Sequence, residues 1–252
     1  MIAALSFDAL LLAAGLGTRL RPLTNRTPKP LLEVGGVAML ERVARRVIAA
    51  GADRLIINVH HLPEQIEAFV RSRRGFGVDV RFSYEPGAAP LDTGGALVHA
   101  REHLRGDRPI LIHNADVISD VSLERLLEDH VASGALVSLV VMRRETSRAL
   151  LFDGSGLCGY TTRAGERVLA RQPQGEPESF GFSGIHAASP TLIDRLTERG
   201  TFSIITAYMR LSREGARILP FRADGSHWID IGSPERLERA QREIEHLDDG
   251  TV

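Results

Sequence analysis

Apolar and polar residues follow two alternating patterns along the first 148 residues. The segment "ALLLAAG" (9–15) is a short, continuous apolar run that ends at glycine, which is typical of a strand buried on both faces. Residues 38–51 repeat apolar side chains at intervals of three and four, which predicts an amphipathic helix. The same reasoning predicts strands at 54–61, 78–84, 109–116 and 135–144 and helices at 63–73, 95–104 and 122–133. This alternation favours an α/β protein with a Rossmann-like three-layer α/β/α fold and a mostly parallel central sheet.

After residue 148 the pattern becomes shorter and richer in glycine. Further strands are predicted at 179–189, 216–221 and 227–231, and further helices at 190–199, 203–214 and 234–247. We find no linker and no internal repeat between the two parts. We therefore predict one domain over residues 1–252, with a first half to about residue 120 and a second half, about 121–252, that completes the sheet.

Composition narrows the possible functions. A chain of 252 residues with 43% hydrophobic and 25% charged residues is typical of a globular protein. A net charge of −1 with dispersed arginines argues against binding of polynucleotides. The apolar N-terminus lacks a cationic start and contains Asp8, which favours neither a signal peptide nor a membrane span, so we expect a cytoplasmic protein. The lone Cys158 excludes an internal disulfide.

The loop after the first strand has the composition of a polyphosphate site. Ligands of open α/β sheets lie beyond the carboxyl ends of the strands, where this loop begins. Its small residues leave backbone N–H groups open to a phosphate, and they are Ala13, Ala14, Gly15 and Gly17. Arg19 adds a planar set of donors, and Lys29 adds a compact charge on a flexible stem. Lys29 is the only lysine in the chain, which predicts a position where an ammonium group fits and a guanidinium does not.

Two other interpretations of this loop remain open. Gly15 and Gly17 approach the Rossmann dinucleotide fingerprint, but Leu20 stands at the third glycine and prolines delay the following helix. The glycines and prolines can also serve only to turn the chain, although that leaves the single lysine unexplained. A Walker motif is excluded because no GK[ST] sequence occurs.

The segment "LLLAAGLGTRLRPLTNRTPKPLLEV" resembles the signature of the sugar-1-phosphate nucleotidyltransferases, which runs G-x-G-T-R, a spacer and P-K-P. The segments "LDTGGALVHA", "HNAD", "FSGIHAASP" and "WIDIGSPERLERA" follow in the family's order, so the resemblance covers residues 9–240. It is strongest to the compact branch that contains N-acetylmuramate 1-phosphate uridylyltransferases and mannose-1-phosphate guanylyltransferase-like proteins. It implies the nucleotide-diphospho-sugar transferase fold, with nucleotide bound by the first half and sugar by the second.

The resemblance also implies roles for residues of these motifs. Arg19 and Lys29 would neutralise the phosphates, and Asp116 and Asp230 would together bind Mg²⁺. Ala13, Ala14, Gly15, Gly17 and Thr18 would contact the nucleotide phosphates. The other substrate-binding residues implied by the motifs are Thr93, Gly94 and Gly95 at the base, Ser183 and Gly184 at the sugar, and Asn114 of the segment "HNAD".

Structural alternatives remain for several of these residues. An Asp after a strand can cap a turn, Thr93 can cap a helix, and "FSGI" can be a core strand. His60 and His61 favour packing over metal binding because they lack ligand spacing. Many family members carry a second lysine before the sugar strand, where this chain offers Arg167 or Arg171 as a replacement.

The implied function is the transfer of a nucleoside monophosphate from a nucleoside triphosphate to a sugar 1-phosphate. UTP is the favoured donor and GTP the next. The alternatives are a non-catalytic homologue that binds nucleotide or NDP-sugar, a cytidylyltransferase for choline-like phosphates, and a Rossmann oxidoreductase. No membrane and no polynucleotide partner is expected, and the assembly is predicted to be a monomer or homodimer.

Overall fold

A computed structural model describes residues 5–248, with side chains to residue 244. The apolar N-terminus discussed above therefore lies partly outside the described residues, as do residues 249–252 of the predicted domain. The strands are β1 (Phe7–Leu12), β2 (Glu33–Val34), β3 (Val37–Ala38), β4 (Ala52–Val59), β5 (Asp79–Tyr84), β6 (Ile110–Asn114), β7 (Val117–Ser119), β8 (Val137–Met142), β9 (Leu150–Asp153), β10 (Gly156–Thr161), β11 (Arg167–Leu169), β12 (Glu178–Ala188), β13 (Ile218–Arg222) and β14 (Trp228–Asp230). The α-helices are α1 (Met39–Ala49), α2 (Pro63–Ser72), α3 (Asp92–His99), α4 (Leu123–Ser133), α5 (Leu192–Arg195), α6 (Ile204–Arg213) and α7 (Pro234–Asp248).

Ten strands form one mixed sheet. Its main path runs β11-β10-β9-β12-β6-β1-β4-β5, and β8 and β13 continue from β12. β1 pairs in parallel with β4 and β6, and β4 in parallel with β5. β12 is antiparallel to β6, β8 and β9, and β10 is antiparallel to β9. Of the ten strands, β12 and β10 thus run opposite to β1, and the predicted α/β fold with a mostly parallel sheet is confirmed.

The core lies on both faces of this sheet. In β1, Phe7, Ala9 and Leu11 belong to one buried cluster and Leu10 belongs to a second on the other face. The first cluster takes in side chains of α1, α2 and α4, and the second takes in α3 and α6. A strand covered on both faces has no polar side, which explains the continuous apolar run in the sequence.

A smaller core holds the late strand β14 in place. β14 pairs antiparallel with β7 in a two-stranded sheet, and the hairpin β2–β3 forms another. Two short strands bury too little surface to be stable alone. The cluster that supports them consists of Val34, Met39, Ile118, Ile229, Ile231, Ala240 and Ile244.

The structure corrects the predicted helix at 190–199. The α-helix there is only Leu192–Arg195, and Leu196 is extended. The backbone of Phe202 then bonds with the start of α3, donating to the carbonyl of Leu91 and accepting from the N–H of Gly94. This tertiary pairing holds the segment extended despite its helical periodicity. The sequence analysis also missed the strands β2, β3, β7, β9, β10 and β11, which are short or rich in glycine.

Within residues 5–248, no helix is both long enough and apolar enough to cross a bilayer.

Three buried histidines lie against the sheet. Burial lowers the pKa of His113 and His130 to about 4 and that of His186 to about 3, from an ordinary value of 6.5. Neither ring nitrogen of His186 has a hydrogen-bond partner among the described residues, and its ring packs against Phe182 and Tyr208. The folded state therefore holds these imidazoles neutral under conditions in which the unfolded chain protonates them.

We expect stability to fall as the pH drops from 6.5 towards 4. Below its ordinary pKa each histidine binds a proton in the unfolded chain, while the folded chain gains none until the lowered pKa is reached, so the unfolded state is favoured. His186→Phe removes one such group. Between pH 7 and pH 4 the free energy of unfolding of this variant should fall by about 2–3 kcal/mol less than that of the parent, at roughly 1.4 kcal/mol per pKa unit. Urea unfolding at both pH values measures this difference. Equal losses in the parent and in His186→Phe would contradict the prediction.

Candidate active site

The single lysine, Lys29, contacts Asp116, one of the two aspartates predicted to bind metal. Asp116 follows β6, and Lys29 Nζ donates a hydrogen bond to Asp116 Oδ2. The two side chains are 12% and 26% exposed, so the pair is only partly solvated. Pro28 and Pro30 flank Lys29 in a short 3-10 turn, which restricts the backbone that carries it. The loop after β1 is thus brought back to the end of β6.

The second aspartate lies beside the first because β14 pairs with β7. The register places Asp230 opposite Val117, and the N–H of Ile231 donates to the carbonyl of Asp116 at 3.0 Å. Asp230 accepts hydrogen bonds from the N–H of Gly232, at 2.8 Å, and from Arg236 Nη1. Burial raises the pKa of Asp230, but the bonds from Arg236 and Gly232 and the charge of Lys29 together hold it below its ordinary value. Asp230 is therefore held as a carboxylate.

Arg19 reaches the same place from the loop after β1. A methyl group at Gly232 would lie 2.8 Å from Arg19 Nη2 and 2.5 Å from Asp230 Oδ1, so the guanidinium and the carboxylate flank this glycine. Arg19 is exposed, which leaves its donors accessible to a ligand. Arg19, Lys29 and Arg236 thus surround the two carboxylates.

Contacts within the loop fix its path. Gly17 has a φ of +62°, and a Cβ there would lie 2.7 Å from Thr24 Cγ2, so glycine is required on both counts. Thr24 Oγ1 donates to the carbonyl of Gly17 at 2.8 Å. His61 Nε2 lies 2.8 Å from the carbonyl of Thr24, so this histidine supports the loop. Gly15 and Thr18 remain exposed along it.

A buried polar chain, which the sequence analysis missed, joins this loop to the start of α3. Asn58 Oδ1 accepts the N–H of Ala13 at 2.6 Å, and its Nδ2 donates to Glu85 Oε1. Glu85 Oε2 accepts the N–H of Leu91 at 2.7 Å. Asn58 is 2% exposed, so each of its polar atoms depends on these partners. The signal in the sequence was a lone amide inside the apolar strand "RLIINV".

Two clefts flank the aspartates. The first, which we call the glycine-loop cleft, has a volume of about 220 Å³. Its lining residues are Leu12, Ala13, Ala14, Gly15, Lys29, Pro30, Asn58, Glu85, Pro90, Asp92, Thr93, Ala96, Asn114 and Asp116. The second, which we call the arginine cleft, has a volume of about 550 Å³. Its lining residues are Met142, Arg143, Arg144, Glu145, Arg222, Asp224, Gly225, Ser226, Trp228, Ile229, Asp230, Arg236 and Arg239.

Some residues implied by the family motifs make hydrogen bonds or packing contacts within the protein. The N–H groups of Gly94 and Gly95 both donate to the carbonyl of Phe202, at 3.0 and 3.3 Å, so they do not face the glycine-loop cleft as free donors. Ser183 is buried and donates to the carbonyl of Val140 at 2.9 Å. Gly184 has a φ of +77°, and a Cβ there would lie 2.5 Å from Asn114 Nδ2, so it makes room for that amide.

Neither arginine offered as a second cation lies at the site. Arg167 pairs with Glu176 at 2.7 Å on the surface. Arg171 bonds to both carboxylate oxygens of Asp153, and neither arginine lines either cleft. The cations at the aspartates include Arg236 instead, which lies in the predicted helix at 234–247 and was not among the predicted site residues.

The model of the nucleotidyl transferase family matches residues 8–246, which include every residue that lines the two clefts. The chain belongs to the nucleotidyl transferase family. It is 30% identical to the N-acetylmuramate alpha-1-phosphate uridylyltransferase of Caulobacter vibrioides over 94% of this chain and 96% of that protein. It is also 30% identical to the mannose-1-phosphate guanylyltransferase of Mycobacterium tuberculosis, over 94% of this chain but only 64% of that protein.

The fold is shared with solved nucleotidyl transferases. The inositol-1-phosphate CTP transferase of T. maritima superposes with a TM-score of 0.74 at 15% identity, over 99% of this chain and 98% of that one. Family and fold thus agree, and the predicted enzyme class, a nucleotidyltransferase, is confirmed.

We expect Asn58→Ala to destabilise the protein by about 1–3 kcal/mol, because the buried N–H of Ala13 and the carboxylate of Glu85 each lose a partner. Urea unfolding followed by circular dichroism measures the change. Asn25→Ala is the matched control, since Asn25 is exposed, and it should change stability by less than about 0.5 kcal/mol. If the two variants are equally stable, Asn58 does not hold the two loops together.

Proposed function

We propose that this protein transfers a nucleoside monophosphate from a nucleoside triphosphate to a sugar 1-phosphate, giving an NDP-sugar and pyrophosphate. The observation that carries the proposal is the placement of Arg19, Lys29 and the pair Asp116 and Asp230 between two clefts. Two polyanionic substrates repel each other, so a site that joins them must gather positive charge where they meet.

The glycine-loop cleft is suited to the nucleoside triphosphate. Its floor is the loop of small residues after β1, where a triphosphate can approach the backbone at Gly15 and Thr18. At its far end, Pro90, Asp92 and Thr93 offer an edge for the base. Arg19 would then contact the β- and γ-phosphates, and Lys29 the phosphate that reacts. Because Gly94 and Gly95 are bonded to Phe202, we assign base contacts to the residues before them.

We propose that Asp116 and Asp230 hold Mg²⁺. The residues fit this ion, since Mg²⁺ commonly takes one or two carboxylates and completes its shell with substrate phosphates and water. The described residues contain no group of three His, Cys, Asp or Glu side chains arranged around a metal position, so the aspartate pair is the protein's share. When bound, the ion would supply positive charge to the phosphates at the reacting centre.

The reaction requires positioning of the substrates and no protein nucleophile. An oxygen of the sugar 1-phosphate attacks the α-phosphorus, the bond from that phosphorus to the bridging oxygen of the β-phosphate breaks, and pyrophosphate leaves with that electron pair. Lys29 is placed to neutralise charge that develops on the α-phosphoryl oxygens, because its Nζ lies at Asp116 between the clefts. A compact ammonium group approaches a crowded phosphorus more closely than a planar guanidinium.

The relatives support a choice of substrates. The uridylyltransferase of Caulobacter matches this chain along nearly its whole length, whereas the chain spans 64% of the guanylyltransferase of Mycobacterium. We therefore propose UTP as the donor and GTP as the second candidate. The same relatives support a hexose or N-acetylhexosamine 1-phosphate as the acceptor.

A matrix of nucleoside triphosphates against sugar 1-phosphates, assayed for pyrophosphate release with Mg²⁺, tests the proposal. We expect turnover with UTP and a sugar 1-phosphate, and loss of turnover with excess EDTA that added Mg²⁺ restores. Choline phosphate with CTP belongs in the matrix, because exclusive use of that pair would replace the proposed acceptor. Nucleotide binding without turnover across the whole matrix would refute catalysis.

We expect Lys29→Arg to lower kcat by about 100-fold or more while the fold is retained, because the broader guanidinium cannot occupy the position at the α-phosphorus. Initial rates measure the loss, and circular dichroism with thermal unfolding checks the fold. Arg26→Lys, at an exposed position of the same loop, is the matched control and should keep the parental rate. A rate for Lys29→Arg within a few-fold of the parent would show that any cation suffices there.

A further inference from the structure

The arginine cleft contains a cation that none of the preceding assignments uses. Five arginines and three carboxylates line the cleft. Four of the arginines are paired, namely Arg143 with Glu178, Arg222 with Asp224, Arg236 with Asp230 and Arg239 with Glu243. The fifth, Arg144, has no carboxylate within 4.0 Å in the described part of the chain.

Packing holds Arg144 in one position. Its guanidinium carbon lies 4.2 Å from the ring centroid of Trp228, at stacking distance. The side chain also crosses Gly181, where a Cβ would lie 2.8 Å from both Arg144 Cγ and Nε. Nη2 donates to the carbonyl of Phe182 at 2.7 Å, and Trp228 is itself held by a bond from Nε1 to the carbonyl of Ser183. The Arg144 side chain is therefore already ordered in the free protein, so binding a ligand would cost little further side-chain entropy.

One edge of this guanidinium remains available. Nη1 has no hydrogen-bond partner among the described residues, and unlike Nε it is not enclosed by protein. Burial lowers the pKa of Arg144, and the nearby charge of Asp230 counteracts part of this effect. A guanidinium stays protonated in any case, so Arg144 is a half-buried charge with one edge open to a ligand.

Arg144 lies farther from the reacting centre than Arg236. Arg236 bonds to Asp230, and the charge of Asp116 also raises the pKa of Arg236. Among the described residues Arg144 bonds to neither aspartate and has no carboxylate within 4.0 Å, although it lines the same cleft as Asp230. An acceptor whose 1-phosphate sits between the aspartates and Arg236 would extend its sugar towards Arg144.

We propose that the arginine cleft selects an acceptor whose sugar carries a carboxylate in addition to its 1-phosphate, and that Arg144 binds this carboxylate. This inference rests on the proposed function. The planar guanidinium matches carboxylate geometry, and a fixed donor distinguishes an anionic substituent from the hydroxyl of a neutral sugar. Arg144 is thus assigned to substrate selection and has no part in phosphoryl transfer.

Two pairs of acceptors test the proposal, each differing only by an acidic group. They are N-acetylmuramate 1-phosphate with N-acetylglucosamine 1-phosphate, and glucuronate 1-phosphate with glucose 1-phosphate. The measurement is the ratio of kcat/KM for the acidic acceptor to that for the neutral one, in the parent and in Arg144→Gln. We expect the parent to prefer the acidic member of a pair and the variant to lose about 10-fold to 100-fold of that ratio.

A second variant tests whether the position of the Arg144 guanidinium matters as well as its charge. Gly181→Ala keeps Arg144 but adds a methyl group against its stem, and the flexible side chain should move away and lower the same ratio. Arg148→Gln removes an equal charge from the same loop at an exposed position outside both clefts, and its ratio should match the parent's.

The outcomes separate the two proposals. If Arg144→Gln lowers kcat/KM for both members of a pair equally, Arg144 binds the 1-phosphate and the selection proposal is refuted while the transfer reaction stands. A parent enzyme without preference for the acidic acceptor refutes it as well. Calorimetric binding of each acceptor gives the same comparison without turnover, so a failure of the catalytic proposal alone would leave the preference measurable.

Discussion

The placement of two aspartates against three cations at one edge of the sheet is the constraint on which the site depends. Asp116 and Asp230 come from strands more than a hundred residues apart, and the pairing of β7 with β14 brings them together. Carboxylates this close repel each other unless positive charge lies between them. Lys29 and Arg19 supply that charge from the loop after β1 and Arg236 supplies it from α7, so the fold that collects the carboxylates also collects the cations that substrate phosphates require.

The two clefts beside this centre differ in the residues that line them. On one side the backbone is close to the surface because the residues are small, and Asn58 and Glu85 hold its loops together through hydrogen bonds. On the other side long arginine side chains form the walls, and most of them are neutralised by carboxylates. A triphosphate needs backbone donors along its length, whereas an acceptor needs a few discriminating contacts. The division of the site therefore matches the two kinds of substrate in a transfer reaction.

The chain divides its cations between structural and chemical tasks. Arginines form bidentate pairs that hold the fold, as Arg171 does with Asp153 and as Arg210 does with Glu198. Such pairs depend on the planar fork of a guanidinium. The one lysine lies at Asp116 between the two clefts, where we propose that the substrates meet and that a compact ammonium group is needed. The unusual composition is thus consistent with a site in which shape as well as charge matters.

The sequence by itself determined the order of the helices and of the longer strands in the first half, the α/β class and the family, because these follow from periodicity and from local motifs. It also indicated that Lys29, Asp116 and Asp230 lie at one edge, since each follows or faces the carboxyl end of a strand. Only the tertiary structure decided that the N–H groups of Gly94 and Gly95 donate to Phe202, that the helix after Pro190 ends at Arg195, and that Arg144 and Arg236 face a cleft while Arg167 and Arg171 do not. The physical reason is that these outcomes depend on partners distant in the chain, and no local pattern records which distant backbone or ring a side chain will meet.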